Sequence, residues 1–413
     1  MTLLTYIFIV VLGAGALDFL LDGNERAQNV LYKVTFFAVW FLFVIRYYYG
    51  PDIATYVPVY ENMRPWYWYL HHPDDCRFEH GYMVFSAMIK DLGFSYYWLT
   101  VVITTLYFGI IALLFKRIKL HKTLALTILV MFDFNLIYAE NRQCLSVCFF
   151  LIMVLLMDKK QYVWALLCAL ISTEMHKSGI FMVSLTWLFF ILHRHKLERG
   201  FFLLILVFLC AMLVLPVSSI CSTILSSLPL PKSLEESLNL HLAMGRQIQA
   251  MWLIYAAIIV FIEYYLQHRN EIRRGTEATV IMGLVVITIF YHYFYFLGRL
   301  RSFFLPVLLV YLCNVVQGAE EEAYRNSYMS IVKSVGIVML LVFFSYRATL
   351  FELDSHKLRH TLHTPGGKGV CSPCTIFDLR HHSAKYLRTE RMYIADCYWK
   401  YDFIDEGNKY KIK

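Results

Sequence analysis

Apolar residues gather along this chain into long runs separated by short polar joints. The runs predict helical spans at about 2–21, 32–46, 96–115, 123–139, 143–157, 162–175, 178–192, 201–221, 249–267, 278–296, 302–317 and 331–346. A helix needs about 17–25 apolar residues to cross a bilayer, so several runs sit near the lower limit. A membrane barrel would alternate apolar and polar positions, and these runs do not. The expected fold class is all-α: a polytopic membrane bundle of about twelve helices over residues 1–346, followed by a polar tail at 347–413. Residues 1–21 carry neither a basic leader nor a small-residue cleavage site and read as a retained first span.

The joints fall into two sets. One is short and basic: Lys116, Arg117, Lys119 and Lys122; Lys159 and Lys160; Arg194, Lys196 and Arg199; and Arg269 through Arg273 and Arg274. The positive-inside rule assigns that set to the cytoplasm. The other set then faces outward: 47–95, 140–142, 176–177, 222–248, 297–301 and the tail from 347. The joint from Gln317 to Arg325, with three consecutive glutamates, is the weakest member of the cytoplasmic set.

Composition agrees with lipid. Of 413 residues, 59% are hydrophobic and 16% charged, against about a quarter charged in soluble domains. The net charge of +8 resides largely in loops that set topology, so it does not indicate nucleic acid. Six of the ten cysteines lie in apolar runs and read as packing residues. Cys76, Cys371, Cys374 and Cys397 lie in polar segments, where disulfides become possible if those segments are extracytoplasmic. The tail's Cys371-Ser372-Pro373-Cys374 lacks a second ligand pair at zinc spacing, so no metal or cofactor is expected.

The outward set holds the unusual chemistry. Residues 140–179 form a helical hairpin layout: Glu140-Asn141-Arg142-Gln143, an apolar run, Asp158-Lys159-Lys160, a second run, then Glu174-Met175-His176. That layout puts Arg142 and His176 at one membrane face, as a site or as two interface anchors. Earlier come Arg46, Gly50-Pro51-Asp52, Tyr56 and Tyr60, with Asp52 placed to start a helix carrying both tyrosines on one face. These aromatics with Trp66–Tyr69 form either an interfacial belt or a sugar-stacking surface. Glu79-His80-Gly81-Tyr82 leads into an amphipathic segment, 82–94, too short and too charged to span. Near residue 298, Arg299 and Arg301 offer planar forks suited to phosphate, or act as anchors. Asp133 is an intramembrane carboxylate, as able to tie neighbouring helices together as to serve function.

Taken together, Arg46-x₃-Gly50-x-Asp52-x₃-Tyr56-x₃-Tyr60, Glu79 with Tyr82, Arg142-Gln143, His176 and the late Arg299/Arg301 resemble the EpsG family over roughly residues 1–350. Pro51 inside the Gly-x-Asp turn and the Cys/His tail depart from that pattern. The resemblance implies a Wzy-like polymerase of exopolysaccharide, capsule or O-antigen synthesis. Such an enzyme is a glycosyltransferase in the bacterial plasma membrane that joins undecaprenyl-diphosphate-linked oligosaccharide repeat units at the outer face. It implies as partners that lipid-linked oligosaccharide, the bilayer, and chain-length regulator or export proteins. On this reading Arg142, Arg299 and Arg301 hold the diphosphate and His176 is the base. Asp52 and Glu79 bind acceptor hydroxyls or act as an alternative base, and Arg46, Tyr56 and Tyr60 line the substrate site.

Three other readings compete, one of them a non-catalytic assembly partner in a polysaccharide export complex, with the tail as docking module. A lipid-linked oligosaccharide flippase should show internal repeats and broken helices at mid-membrane; no duplication is evident, and the polar residues crowd one face. A membrane O-acyltransferase would also use a membrane histidine, and only the Arg and Asp/Tyr pattern speaks against it.

Overall fold

In the computed structural model, which describes residues 3–21, 24–47, 53–118, 121–138, 140–194, 300–323 and 374–375, the apolar runs are helices. They are α1 (Leu3–Leu20), α2 (Glu25–Val44), α3 (Ile53–Glu61), α4 (Trp66–His71), α5 (His80–Asp91), α6 (Tyr96–Phe115), α7 (Lys122–Tyr138), α8 (Asn141–Asp158), α9 (Tyr162–Met175), α10 (Ser178–Arg194) and α11 (Arg301–Ala323). A two-residue antiparallel pairing joins β1 (Arg46–Tyr47) to β2 (Cys374–Thr375). Three of the described helices, α2, α6 and α8, are each long and apolar enough to cross a membrane. The runs predicted at 201–221, 249–267, 278–296 and 331–346 lie outside the described residues, and twelve spans are not established.

Two boundaries differ from the sequence reading. Helix α2 starts at Glu25 and not near residue 32, because Asn24 caps it: its side chain accepts from the Ala27 N–H at 3.1 Å. The cap satisfies a first-turn donor that hydropathy does not see. Helix α11 continues through Glu320–Glu322 to Ala323 where a loop was expected from Gln317. Glu and Ala are strong helix formers, so charge alone does not end a helix there.

The chain forms two compact units. The first comprises Met1–Cys148, Glu174–His176 and Leu312–Lys413; the second comprises Phe149–Thr173 and Lys177–Tyr311. In the first unit α1, α2, α6 and α7 pack on one another. A Cβ at Gly15 would stand 2.9 Å from Thr127 Oγ1, so the missing side chain sets how closely α1 approaches α7. Phe43 is the aromatic hub, with ring centroids 5.8 Å from Phe108, 5.6 Å from Phe134 and 5.9 Å from Tyr138. Within a turn of Gly15 on α1, the fully enclosed Asp18 accepts from the Leu124 N–H at 3.3 Å and lies 3.5 Å from His121 Nδ1. Asp133 departs from helical geometry (φ −103°, ψ 17°) and bends α7.

In the second unit Phe150 and Phe303 meet edge to face at 5.3 Å. Helix α9 leaves Val163, Trp164 and Leu170 largely exposed. A broad exposed apolar face is unfavourable in water and ordinary against lipid chains.

The hairpin read from residues 140–179 is α8, a tight turn and α9. Lys160 takes a left-handed conformation (φ 59°). The Gln161 N–H then reaches back to Leu156 O at 2.9 Å, satisfying a last-turn carbonyl of α8.

Candidate active site

The centre of the site is Arg142, in the first turn of α8. Its Nε donates to Tyr56 Oη at 3.0 Å and its Nη1 to Glu79 Oε2 at 2.7 Å. Its Cζ lies 4.5 Å above the Phe78 ring and 5.4 Å from that of Tyr56. Two directional bonds and two aromatic faces hold one guanidinium in a single orientation.

Each partner arrives from a short helix of the segment between α2 and α6. Tyr56 lies on α3, where burial to 4% exposure and ring contacts at 5.2 Å to Phe78 and 6.1 Å to Tyr82 fix it. Glu79 occupies the N-cap of α5 (φ −55°, ψ 138°), yet its carboxylate makes no cap bond and turns to Arg142. The N-terminal end of a helix favours a carboxylate in any case. Helix α5 is the amphipathic segment of the sequence, twelve residues from His80 to Asp91. Tyr82, one turn along, is buried, and burial pushes its phenol well above the ordinary range.

The end of α9 closes the other side. His176 follows the last residue of α9 and acts electrostatically on Glu79. Glu174 Oε2 stands 3.7 Å from His80 Nδ1, while His80 Nε2 lies 3.0 Å from Tyr69 O. Contact is close here: a Cβ on Gly81 would fall 2.7 Å from Glu174 Cβ and 3.0 Å from its carbonyl oxygen. Arg142, Glu79 and His176 thus form one cluster, although up to 97 residues of sequence separate them.

Within the cluster Arg142 and Glu79 carry opposite charge. Burial by itself raises the Glu79 carboxyl. The Arg142 guanidinium, the backbone N–H of Glu79 and then His176 outweigh that burial, and the net value falls below the ordinary 4.5. Glu79 is therefore ionised at neutral pH and stands as a counter-charge to Arg142.

Beside this cluster lies a second polar layer. Asn141 Nδ2 donates to Tyr96 Oη at 2.8 Å, and the Tyr96 ring packs edge to face on Tyr60 at 5.7 Å. Tyr96 is within electrostatic reach of Tyr56 and Tyr82 on one side and of Arg46 on the other. Arg46, 4% exposed, donates through Nη1 to Phe43 O at 2.9 Å and to Thr104 Oγ1 at 2.6 Å. Tyr60 gives its hydroxyl to Phe94 O at 2.8 Å.

The sequence-predicted residues therefore divide. Arg142, Glu79, His176, Tyr56, Tyr60 and Arg46 all belong to the first unit. Arg301 opens α11 in the second. Asp52 and Arg299 lie outside the described residues. The helix expected after Asp52 is α3, and its two tyrosines are buried, whereas Trp66 and Tyr67 of α4 are exposed. Two participants were missed: Phe78, whose only signal was an aromatic directly before a carboxylate, and Glu174, which reads as an ordinary helix-end charge.

The sequence profile of the EpsG family matches residues 29–357, most of the chain. The chain belongs to the EpsG family. The match contains every described residue of the cluster, so this EpsG-family chain is a polysaccharide-polymerase-type membrane protein whose family region includes the Arg142 site. No curated protein and no solved structure matches it.

Proposed function

We propose that this EpsG-family protein is a glycosyltransferase that polymerises diphosphate-linked oligosaccharide repeat units at the outer face of the bacterial plasma membrane, with Arg142, Glu79 and His176 at its reaction centre. The observation that carries this reading is the convergence of both ends of the α8–α9 hairpin on one carboxylate. In the reaction, the bond from the donor sugar's anomeric carbon to the diphosphate oxygen breaks, and a bond to the acceptor hydroxyl oxygen forms. The lipid diphosphate leaves with the electron pair, and the acceptor's proton goes to His176. Arg142, held in a single orientation, offers positive charge where negative charge develops on the leaving oxygen, without reorganising. An imidazolium formed on His176 would face the ionised Glu79, which favours proton uptake from the hydroxyl.

Outer-face placement rests on the basic joints, since Lys159 and Lys160 sit at the end of the hairpin opposite Arg142. Undecaprenyl diphosphate is the carrier that the family resemblance implies. The test is purified protein incubated with a lipid-diphosphate-linked oligosaccharide, with products resolved by length. A product ladder that disappears in Arg142→Ala and His176→Ala is the expected result. Undiminished ladders in both variants would sink the site. Movement of substrate between leaflets without lengthening would make the protein a flippase, and acyl transfer to the glycan an acyltransferase.

A further inference from the structure

We infer that Arg46, and not Arg142, supplies the bidentate phosphate grip of this protein, for the phosphate or diphosphate group of a ligand bound beside Tyr96. The inference rests on the proposed polymerase reading for its substrate class and stands on separate geometry. A guanidinium recognises a phosphate best along the edge where Nε–H and Nη2–H run parallel. In Arg142 that edge is broken, because Nε is given to Tyr56 and Nη1 to Glu79. In Arg46 the allocation is reversed. Among the described residues Nη1 alone makes its side-chain hydrogen bonds, to Phe43 O and Thr104 Oγ1. Nε and Nη2 have no partner among the described residues, and neither is among the fully enclosed polar atoms.

Among the described residues the charge of Arg46 also lacks compensation. Arg142 has Glu79, but among the described residues no carboxylate pairs with Arg46, whose surroundings are Tyr96, Tyr97, Tyr138 and Cys144. A cation at 4% exposure among neutral groups is expensive unless an anion joins it. The C-terminal carbonyls of α2 offset part of that charge, but they engage only Nη1. Asn141 Oδ1, enclosed and without a donor among the described residues, is a second polar atom left over in this layer. The N-terminal ends of α6 and α8 meet here through Tyr96 and Asn141, and helix N-termini add positive potential for an anion.

The experiment uses the full chain in detergent, with farnesyl diphosphate and inorganic pyrophosphate as probes and calorimetric titration as readout. Arg46→Lys keeps a donor for Phe43 O but loses the fork. It is expected to weaken farnesyl diphosphate binding about tenfold or more, while Arg142→Lys changes it less than about threefold. Thr104→Val, which loosens the Nη1 anchor and leaves the fork in place, is expected to weaken the probe about threefold with an unchanged thermal midpoint. It provides the readout should Arg46→Lys fail to fold. Binding of farnesyl diphosphate alone identifies a lipid-linked ligand and equal binding of pyrophosphate a free diphosphate; either supports the fork when it weakens in Arg46→Lys. Unchanged binding in Arg46→Lys and Thr104→Val, or a greater loss in Arg142→Lys than in Arg46→Lys, overturns the inference. A wild-type ladder with Arg46-independent probe binding leaves the polymerase reading standing and removes only the fork. Arg46-dependent probe binding with no ladder does the opposite.

Discussion

Arg142 and Glu79 are joined by a 2.7 Å ion pair with the carboxylate nine-tenths enclosed, so neither can be removed alone without leaving a charge poorly solvated. Arg142→Ala is expected to lower the polymerisation rate by about a hundredfold or more, the usual loss when one preorganised donor to a developing charge is deleted. Glu79→Gln retains the shape of the site and frees Arg142, and should cost less, about tenfold, with most of the loss in turnover. The same carboxylate predicts an acid limit. Its folded-state value lies below its ordinary 4.5, so its contribution to stability is fully present above 4.5 and is lost as pH falls through the lower folded value. Thermal midpoints measured from neutral to acid pH should drop for the wild type below 4.5. The gap between wild type and Glu79→Gln should close over that same range. A gap that stays constant would show that Glu79 does not sense Arg142 in solution.

Among elements, the contact of α5 with the end of α9 is the joint on which the cluster depends. Gly81 permits it, since any Cβ there meets Glu174 at 2.7 Å. Gly81→Ala is expected to cost about 1–3 kcal/mol from overpacking and to displace His176 from Glu79. Activity should therefore fall more than the thermal midpoint would imply, as paired activity and melting measurements would reveal. If both fall together, Gly81 serves only the fold. The α1–α7 contact makes a contrasting prediction. Asp18→Ala removes the acceptor of the Leu124 N–H and the neighbour of His121, and should destabilise by about 1–3 kcal/mol. Loss of activity at a temperature where that variant is still folded would contradict a purely structural role.

For the molecule in its membrane, the basic joints and the site at opposite ends of the hairpin make one topological prediction. Cys76, three residues before Glu79 and only partly buried, should react with an impermeant maleimide added outside intact spheroplasts. Burial and then the nearby Asp75 and Asp74 push its thiol up, so the rate should climb as pH rises. Labelling only after lysis would invert the topology and put the Arg142 site in the cytoplasm.

Hydropathy and turn chemistry alone located the helices from α6 to α10 and the hairpin turn at Lys159–Lys160, because a lipid-facing helix must be apolar throughout and its ends polar. Hydropathy also singled out Arg142 and His176 as ionisable groups at the outer ends of their spans, whereas Glu79, in the loop before α5, entered through the family resemblance. Local sequence was blind to the cap that starts α2 at Glu25 and to the helical continuation of α11 through its glutamates, where hydrogen bonding and propensity override hydropathy. Partner choice was out of reach altogether. Only folding brings α3, α5, α8 and the end of α9 together, so only the tertiary structure decides that Tyr56 and Glu79 share Arg142. The same holds for Phe78 beneath its guanidinium and for the Nε–Nη2 edge of Arg46, which is open among the described residues. Hydrogen-bond allocation depends on angles and distances across long sequence separations, and no local pattern of residues encodes those.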